Sequence, residues 1–377
     1  MHNRVVVGGG DHSVTIGGYT LGGGHGPMSR MFGLAVDNLL EVEMVTANGE
    51  IIQANDVATT FHNSDGSTRI SNDTSIFWAL RGGGGGTFGI VTKFTYKLHY
   101  PASGVVMLPC FYPIILQNGT NVGYDVLMFI GNLIQNLPRE WGGYLLVTPS
   151  VNKYSGTFGT LGLFLNHYGP YDSQSRSYMD TLKNYHPDIQ MYCDYTNFST
   201  FLEYENNAND VEWYATSLFN TLMQNDSFTS DWVNFTIDSV AKTHPIPYSA
   251  VRFTGSLIGG RVSDVGADAT PVHPGMRTSV MTISGSISWD HTDSKVDWRK
   301  AIDVSKTLED QFQAFGDGMY PNESGPNVTD WKKHFWGTNY DRLLLIKKQW
   351  DPESFFYCSQ CVGSDEIHST SPLNPFG

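Results

Sequence analysis

Cationic side chains are scarce in this 377-residue chain. Lysine and arginine together number 23, against 37 aspartates and glutamates, and the formal net charge is −14 at pH 7. No cluster of basic residues interrupts this balance. Because nucleic-acid binding depends on cations that neutralise phosphates, we expect no nucleic-acid partner. The same charge disfavours binding to an anionic membrane surface.

Long apolar runs are also absent. No stretch approaches the roughly 20 apolar residues of a membrane-spanning helix, so we expect no membrane partner. Residues 1–7 lack the apolar core of a signal peptide. Hydrophobic residues still make up 40% of the chain and aromatic residues 13%, which is typical of a packed globular enzyme and excludes a disordered chain.

Cysteine is rare, and the four examples are Cys110, Cys193, Cys358 and Cys361. The last two form a single CxxC motif, but zinc sites of this kind need a second pair of ligands. Neither a second pair nor a suitably spaced histidine is present, so we expect no metal. A local disulfide and two packed thiols are both compatible with the motif.

Glycine, by contrast, is abundant, and its 40 residues concentrate in the first third of the chain. Two runs stand out, GGYTLGGGHG at residues 17–26 and GGGGG at residues 82–86. A backbone without Cβ atoms can approach a ligand closely, and bare N–H groups can surround an anion. The two runs therefore predict one large cofactor that carries phosphate.

Two common nucleotide-binding motifs do not fit these runs. A Rossmann fingerprint needs GxGxxG at the start of a helix, and GGGDHS at residues 8–13 lacks the third glycine in its place. A P-loop ends in Gly-Lys-Ser/Thr, which neither run does. A nicotinamide-dependent dehydrogenase is therefore disfavoured.

The first hundred residues have the pattern of a β-rich unit. Residues 39–46 and 50–54 predict two strands joined by a tight turn at residues 48–49. Residues 76–80 predict a short helix, and residues 90–100 a further strand. The apolar residues that share one face of this last strand are Ile90, Phe94, Tyr96, Leu98 and Tyr100.

From about residue 104 helical and strand-like stretches alternate. Helices are predicted at 122–137, 173–185, 231–242 and 297–315, and strands at 144–151, 157–167, 251–258 and 279–289. Residues 316–339 are loop-rich, and residues 340–349 predict a last helix. The alternation favours an antiparallel sheet that carries helices on one face.

Several short motifs occur in order along the chain. They are GGGHG at 22–26, RMFGLAVDN at 30–38, FWALR at 77–81, FGIV at 88–91, GMYPNE at 318–323, NYDRL at 339–343 and KKQWDP at 347–352. Together they resemble the flavin domain and the C-terminal segment of the vanillyl-alcohol-oxidase (PCMH-type) superfamily. The match is closest to the berberine-bridge-enzyme-like oxidases common in fungi.

This resemblance implies an α+β fold. Residues 1–103 would be the C-terminal part of a PCMH-type FAD-binding domain, and residues 104–315 a substrate domain with an antiparallel sheet covered by helices. Residues 316–377 would be a berberine-bridge-type segment that returns to the flavin domain. The first part of that domain, with its flavin-linking histidine, would precede residue 1. Residues 11–13 lack the cysteine that links flavin in many relatives, so no cysteinyl bond is expected.

The resemblance also implies FAD as the cofactor and assigns residues to it. Charge-assisted hydrogen bonds from backbone N–H groups can hold a pyrophosphate without cationic side chains, which suits an acidic protein. The residues along the ribityl and pyrophosphate would be Gly17, Gly18, Gly22, Gly23, Gly24 and His25. Those at the adenine end would be Gly89, Ile90 and Val91, and those that return to the flavin would be Asn322, Asn339 and Tyr340.

The implied reaction moves hydride from a substrate C–H bond to flavin N5, and O2 then accepts the electrons and becomes H2O2. The substrate would be an alcohol, a sugar or a secondary metabolite. Glu323 is the first candidate for the base, provided that burial raises its pKa towards neutrality, and Tyr320 is the second. For both, an ordinary loop side chain is the alternative. The alternative function is a truncated or non-catalytic relative that folds without flavin.

Seven sequons accompany these motifs, and by resemblance we expect a secreted, monomeric glycoprotein that acts on a small molecule and O2. Their asparagines are Asn72, Asn118, Asn197, Asn225, Asn234, Asn322 and Asn327. Asn322 would be exposed if it were glycosylated and buried if it lined the flavin. We expect it to be buried.

Overall fold

The computed structural model describes residues 3–149, 159–207, 215–241, 250–289 and 297–366. The first part of the chain forms an antiparallel sheet in the order β4-β3-β2-β1-β5. Its strands are β1 (Leu39–Val45), β2 (Ile51–Asn55), β3 (Thr59–His62), β4 (Thr68–Ser71) and β5 (Ile90–Tyr96). Three short helices accompany the sheet, α1 (Ile16–Leu21), α2 (Ser29–Phe32) and α3 (Ser75–Ala79).

Alternation of buried and exposed side chains builds this first sheet. Val42, Met44 and Ile52 are fully buried, and Gly49 adopts φ +78° in the turn between β1 and β2, so the predicted hairpin is confirmed. The single face predicted for residues 90–100 is wrong. Ile90 is 59% exposed, because two register shifts between β1 and β5 break the alternation.

The middle of the chain forms a second antiparallel sheet. Its strands are β6 (Val105–Pro113), β7 (Trp141–Thr148), β8 (Thr160–His167), β9 (Tyr192–Cys193), β10 (Thr196–Phe198), β11 (Ala215–Met223), β12 (Ala250–Leu257) and β13 (Met281–Trp289). The order is β10-β6-β8-β7-β12-β13-β11, with β9 also paired to β6. The predicted strands at 144–151 and 157–167 extend into residues outside the described ranges. Strands β6 and β11 were not predicted.

Helices accompany this sheet. They are α4 (Gly123–Gln135), α5 (Ser173–Lys183), α6 (Phe201–Asn206), α7 (Ser230–Ala241), α8 (Gly275–Thr278) and α9 (Trp298–Phe312). Buried side chains of α4, α7 and α9 form one apolar core with the sheet. The four helices predicted here are confirmed within the described residues. No helix in those ranges combines the length and apolarity needed to cross a membrane.

The last segment packs against the first sheet. It contains α10 (Trp331–Trp336) and α11 (Tyr340–Trp350), and Trp336 and Leu343 share a buried cluster with Trp78 and Phe88. Lys347 Nζ, also buried, donates to the carbonyl of Thr87 at 2.7 Å. The C-terminal segment is therefore part of the same core as the N-terminal sheet.

Two disulfides are present. Cys358 is bonded to Cys361, which agrees with the local disulfide among the predicted alternatives. Cys110 is bonded to Cys193 across the pair β6 and β9. The second bond links residues 83 positions apart.

A buried arginine joins helix α2 to the second sheet. The Nε of Arg30, on α2, donates to the carbonyl of Trp141 at 2.7 Å, and Nη2 donates to the carbonyl of Leu137 at 2.7 Å. Nη1 donates to the carbonyl of Ile258. Burial lowers the pKa of Arg30 to about 10, so the guanidinium remains charged at neutral pH. One side chain thus fixes α2 against β7 and the end of β12.

Replacement of Arg30 with methionine removes these donors and leaves several buried carbonyls unpaired. We expect the free energy of unfolding to fall by about 3–5 kcal/mol, measured by urea denaturation. Arg261→Met is the control, because the Arg261 side chain is 53% exposed and its loss should cost less than about 1 kcal/mol. Equal losses of unfolding free energy in the two variants would show that Arg30 stabilises the fold no more than an exposed arginine does.

Candidate functional site

A cavity of about 390 Å³ lies between the glycine-rich N-terminal segment, the second sheet and the turn at Pro321–Glu323. We call it the site cavity. Its lining residues are Gly9, Gly10, Asp11, Val14, Tyr19, His25, Gly26, Tyr144, Thr254, Ser256, Tyr320, Asn322 and Glu323. None of them is lysine or arginine, so the cavity has an acidic to neutral lining.

An imidazole–carboxylate pair spans the site cavity. His25 Nε2 lies 2.9 Å from Glu323 Oε1, although the two residues are 298 positions apart. The second carboxylate oxygen accepts a hydrogen bond from the hydroxyl of Ser284, on β13. His25 Nδ1 is buried and has no hydrogen-bond partner among the described residues. The chain thus aligns Ser284, Glu323 and His25 in one hydrogen-bonded series.

The protonation of Glu323 differs from the prediction. Burial on its own raises the pKa of Glu323, but the charge and hydrogen bond of His25 and the hydroxyl of Ser284 together lower it below its ordinary value. The expectation that burial brings this pKa towards neutrality is therefore wrong. Glu323 is ionised at neutral pH, and its carboxylate accepts hydrogen bonds rather than holding a proton.

Tyr320 and Asn322 flank this pair. Tyr320 is buried. Its burial, and to a smaller extent the charge of Glu323, raise the pKa of Tyr320, so its phenol stays protonated. Asn322 is exposed, which overturns the prediction of burial, because the residue lies at the cavity rim. Its Nδ2 still donates to the carbonyl of Gly18 at 2.9 Å and to the Tyr320 hydroxyl at 3.0 Å. All seven sequon asparagines are exposed.

The glycines of the first run have different roles. The N–H of Gly22 donates to the carbonyl of Gly18 and that of Gly23 to Thr20, so these two amides are used within the chain. A Cβ on Gly22 would overlap the side chain of Asn322. Gly17 and Gly18 have open space where a Cβ would stand, and they present bare backbone there. Gly24 is buried below them.

Other predicted site residues lie outside the cavity lining. Gly89 packs against Met44, and Ile90 and Val91 pair with β1 at the start of β5. The buried Asn339 donates its side-chain amide to three carbonyls in residues 267–272. The hydroxyl of Tyr340 accepts from the N–H of Gly363. Asn339 and Tyr340 support the backbone around the site.

The sheet side of the cavity was missed by sequence reasoning. Tyr144, Thr254, Ser256 and Ser284 come from β7, β12 and β13, and Tyr144 lies directly opposite Ser256 in the strand register. A signal was present in β13, where Thr282, Ser284, Ser286 and Ser288 alternate with apolar residues. This alternation gives the sheet a hydroxyl-bearing face.

Two family models match segments of the chain. Residues 3–55 match the model described as "FAD binding domain", and residues 315–363 match "Berberine and berberine like". Both matched segments contribute walls to the site cavity.

Curated relatives extend the similarity along the chain. The VAO-type flavoprotein oxidase VAO615 of Thermothelomyces thermophilus is 32% identical over 373 residues, which cover 95% of this chain and 60% of that protein. The FAD-linked oxidoreductase ffsJ of Aspergillus flavipes is 28% identical over 386 residues, 93% of this chain and 58% of that protein. The chain thus spans less than two thirds of the length of these relatives.

Solved structures share the fold. The VAO-type flavoprotein MtVAO713 from Myceliophthora thermophila C1 superposes with a TM-score of 0.76 at 23% identity, over 97% of this chain and 64% of that one. Berberine bridge enzyme from Eschscholzia californica gives 0.71 at 19% identity, over 95% and 72%. The architecture is that of a VAO-type flavoprotein. In sequence the chain is similar to berberine-like and FAD-binding family models at its two ends and to fungal FAD-linked oxidoreductases over most of its length.

The low pKa of Glu323 makes its contribution to stability depend on pH. The unfolded value is about 4.3, so the ionised carboxylate stabilises the fold above that pH and loses its effect as pH falls through the folded pKa. Glu323→Gln should therefore have a lower free energy of unfolding than the wild type at pH 7. The difference between the two free energies should become smaller below about pH 4. Urea denaturation across this pH range measures both.

Glu353→Gln is the matched control for this experiment, since Glu353 is exposed. It should show no stability difference from the wild type at any pH. If the difference in unfolding free energy between Glu323→Gln and the wild type stayed constant down to pH 3, the lowered pKa of Glu323 would be contradicted.

Proposed function

We propose that this chain binds FAD and carries out FAD-linked oxidation of a small-molecule substrate. One observation carries the proposal. The segment that matches the FAD-binding domain and the segment that matches berberine-like proteins meet in the site cavity, and His25 of the first pairs with Glu323 of the second. A purely structural histidine–glutamate pair would not need to line a cavity.

The residues present fit one end of such a cofactor. The volume of about 390 Å³ lies within the range of about 300–1,000 Å³ for ligand sites. Gly9, Gly10 and Gly26 form a wall without side chains, and His25 Nδ1 is a buried polar atom that still lacks a partner. We propose that these residues hold the flavin end and that Gly17 and Gly18 approach the phosphates.

When bound, FAD supplies the oxidising centre, which takes hydride from a substrate C–H bond and passes the electrons to O2 as H2O2. The protein contributes the proton acceptor. Because the ionised Glu323 can only accept, the proton between the two side chains lies on His25 Nε2, and Nδ1 is the ring nitrogen without a partner among the described residues. Glu323 then stabilises the imidazolium that forms when the pair takes a proton.

Tyr320 has a different role in this proposal. Its phenol stays protonated because burial raises its pKa, so Tyr320 acts as a hydrogen-bond donor rather than as the base. The Asn322 amide donates to the same phenol oxygen at 3.0 Å. The phenol proton is therefore directed towards other acceptors, the ligand among them.

Filling the cavity should exclude the cofactor. Val14 lines the site cavity and is 50% exposed, so Val14→Trp adds an indole there without disturbing the core. We expect purified wild type to be yellow with about one FAD per chain, and Val14→Trp to bind FAD at least tenfold more weakly by absorbance titration. Val57→Trp, at a valine 75% exposed outside the cavity lining, should bind like the wild type.

A colourless wild-type protein that does not take up added FAD would contradict the proposal. That result would favour the non-catalytic alternative, a relative that keeps the fold without flavin.

Removal of the carboxylate should slow the chemistry more than cofactor binding. A positioned base typically contributes about 10²–10⁴-fold to rate, so Glu323→Gln should reduce flavin reduction by substrate at least tenfold. Stopped-flow absorbance measures this rate in preparations of equal FAD content. Glu353→Gln is again the control and should reduce flavin at the wild-type rate. Unchanged kinetics in Glu323→Gln would remove this residue from the mechanism.

A further inference from the structure

Tyr144 has a polar atom that the fold leaves unused. It lies on β7, lines the site cavity, and its hydroxyl is buried with no hydrogen-bond partner among the described residues. The hydroxyl also lies so close to Gly10 that a Cβ at that position would overlap it. Buried hydroxyls are normally paired, so this one calls for a partner that enters the cavity.

The hydroxyl needs an acceptor. Burial raises the pKa of Tyr144 well above its ordinary value, so the phenol keeps its proton and must donate it. An ammonium group has only donors and cannot accept this bond. A carboxylate or phosphate could accept it, but would lie in the same cavity as Asp11 and Glu323, with no lysine or arginine among the described lining residues. A neutral oxygen satisfies both conditions.

The acidic side chains already accept hydrogen bonds within the protein. Both oxygens of Glu323 are bonded, one to His25 and the other to Ser284. Asp11 accepts the N–H of Ser13 at 2.7 Å. The remaining groups on the sheet side, Ser256 opposite Tyr144 and Thr254 two residues before it, are hydroxyls.

We propose that Tyr144 is a specificity-determining residue of the site cavity, which donates its phenol proton to a neutral hydroxyl, ether or carbonyl oxygen of the substrate. Ser256 and Thr254 continue this surface as a row of hydroxyls. The inference rests on the proposed function, because Tyr144 adjoins Gly10 in the wall proposed for the flavin end, so the bound substrate oxygen would lie beside the cofactor.

Probes that differ only in charge test this proposal. One trio is benzyl alcohol, benzylamine and benzoate, and the other is glucose, glucosamine and gluconate. With the purified protein and calorimetry at pH 7, we expect at least one neutral member to bind at least fivefold more tightly than both charged counterparts. Tyr144→Phe should weaken that binding roughly two- to tenfold with an unchanged denaturation midpoint, since the lost hydroxyl has no partner in the free protein.

Tyr168→Phe is the matched control. Tyr168 is also buried with an unpartnered hydroxyl, but it does not line the cavity, so its variant should bind the neutral probe like the wild type. The proposal is overturned if no neutral probe binds, if a charged probe binds equally tightly, or if Tyr144→Phe binds as well as the wild type. An equal loss in Tyr168→Phe also overturns it.

The FAD content of each preparation, measured by absorbance after acid release, separates this proposal from the one on which it rests. Protein without FAD that still prefers the neutral probe contradicts the cofactor proposal and supports the role of Tyr144. Protein with FAD that shows no such preference contradicts the role of Tyr144 alone.

Discussion

The Arg30 guanidinium determines how α2 meets the second sheet, which forms one wall of the site cavity. Its donors reach carbonyls of residues on or beside β7 and β12, the two strands that supply Tyr144, Thr254 and Ser256. A buried cation is normally paired with a carboxylate, but here carbonyl dipoles surround the charge. Because the guanidinium is planar and its donors are fixed in direction, this contact fixes the position of α2 relative to β7 and β12.

Charge is arranged in the site without cationic side chains. The carboxylate of Glu323 is stabilised by an imidazole and a hydroxyl rather than by lysine or arginine, and its proton affinity is lower than burial alone would give. The two partners come from opposite ends of the chain, so neither terminal segment contains a working pair by itself. The middle of the chain contributes Ser284 and the hydroxyl-bearing face of β13. The acid–base groups are therefore a product of all three parts of the fold.

Local patterns predicted much of the fold but little of the site. The hairpin at Gly49 and helices α4, α5, α7 and α9 depend on contacts close in sequence, and the pattern showed them. Strand β6 contains Pro109 and is buried on both faces over much of its length, so neither alternation nor composition identified it. Strand β11 carries the buried Asn220, whose side chain bonds to Tyr320.

Long-range contacts explain the errors at the site itself. His25 and Glu323 were found through motifs, but the pairing that lowers the Glu323 pKa joins residues 298 positions apart. No pattern along the sequence indicates that Tyr144 would reach Gly10. Asn322 was expected to be buried because the resemblance places it against the flavin, whereas its position in the middle of a short turn leaves it exposed at the rim.

The segments that form the walls of the cavity are also synthesised at different times. A ribosome makes the glycine-rich segment roughly three hundred residues before the Pro321–Glu323 turn, so the nascent chain exposes an unfinished pocket over that interval. Contacts of such high sequence separation form slowly, and the first sheet waits for α11 to complete its core. Premature termination between His25 and Glu323 would therefore release a chain with the histidine but no carboxylate to orient it.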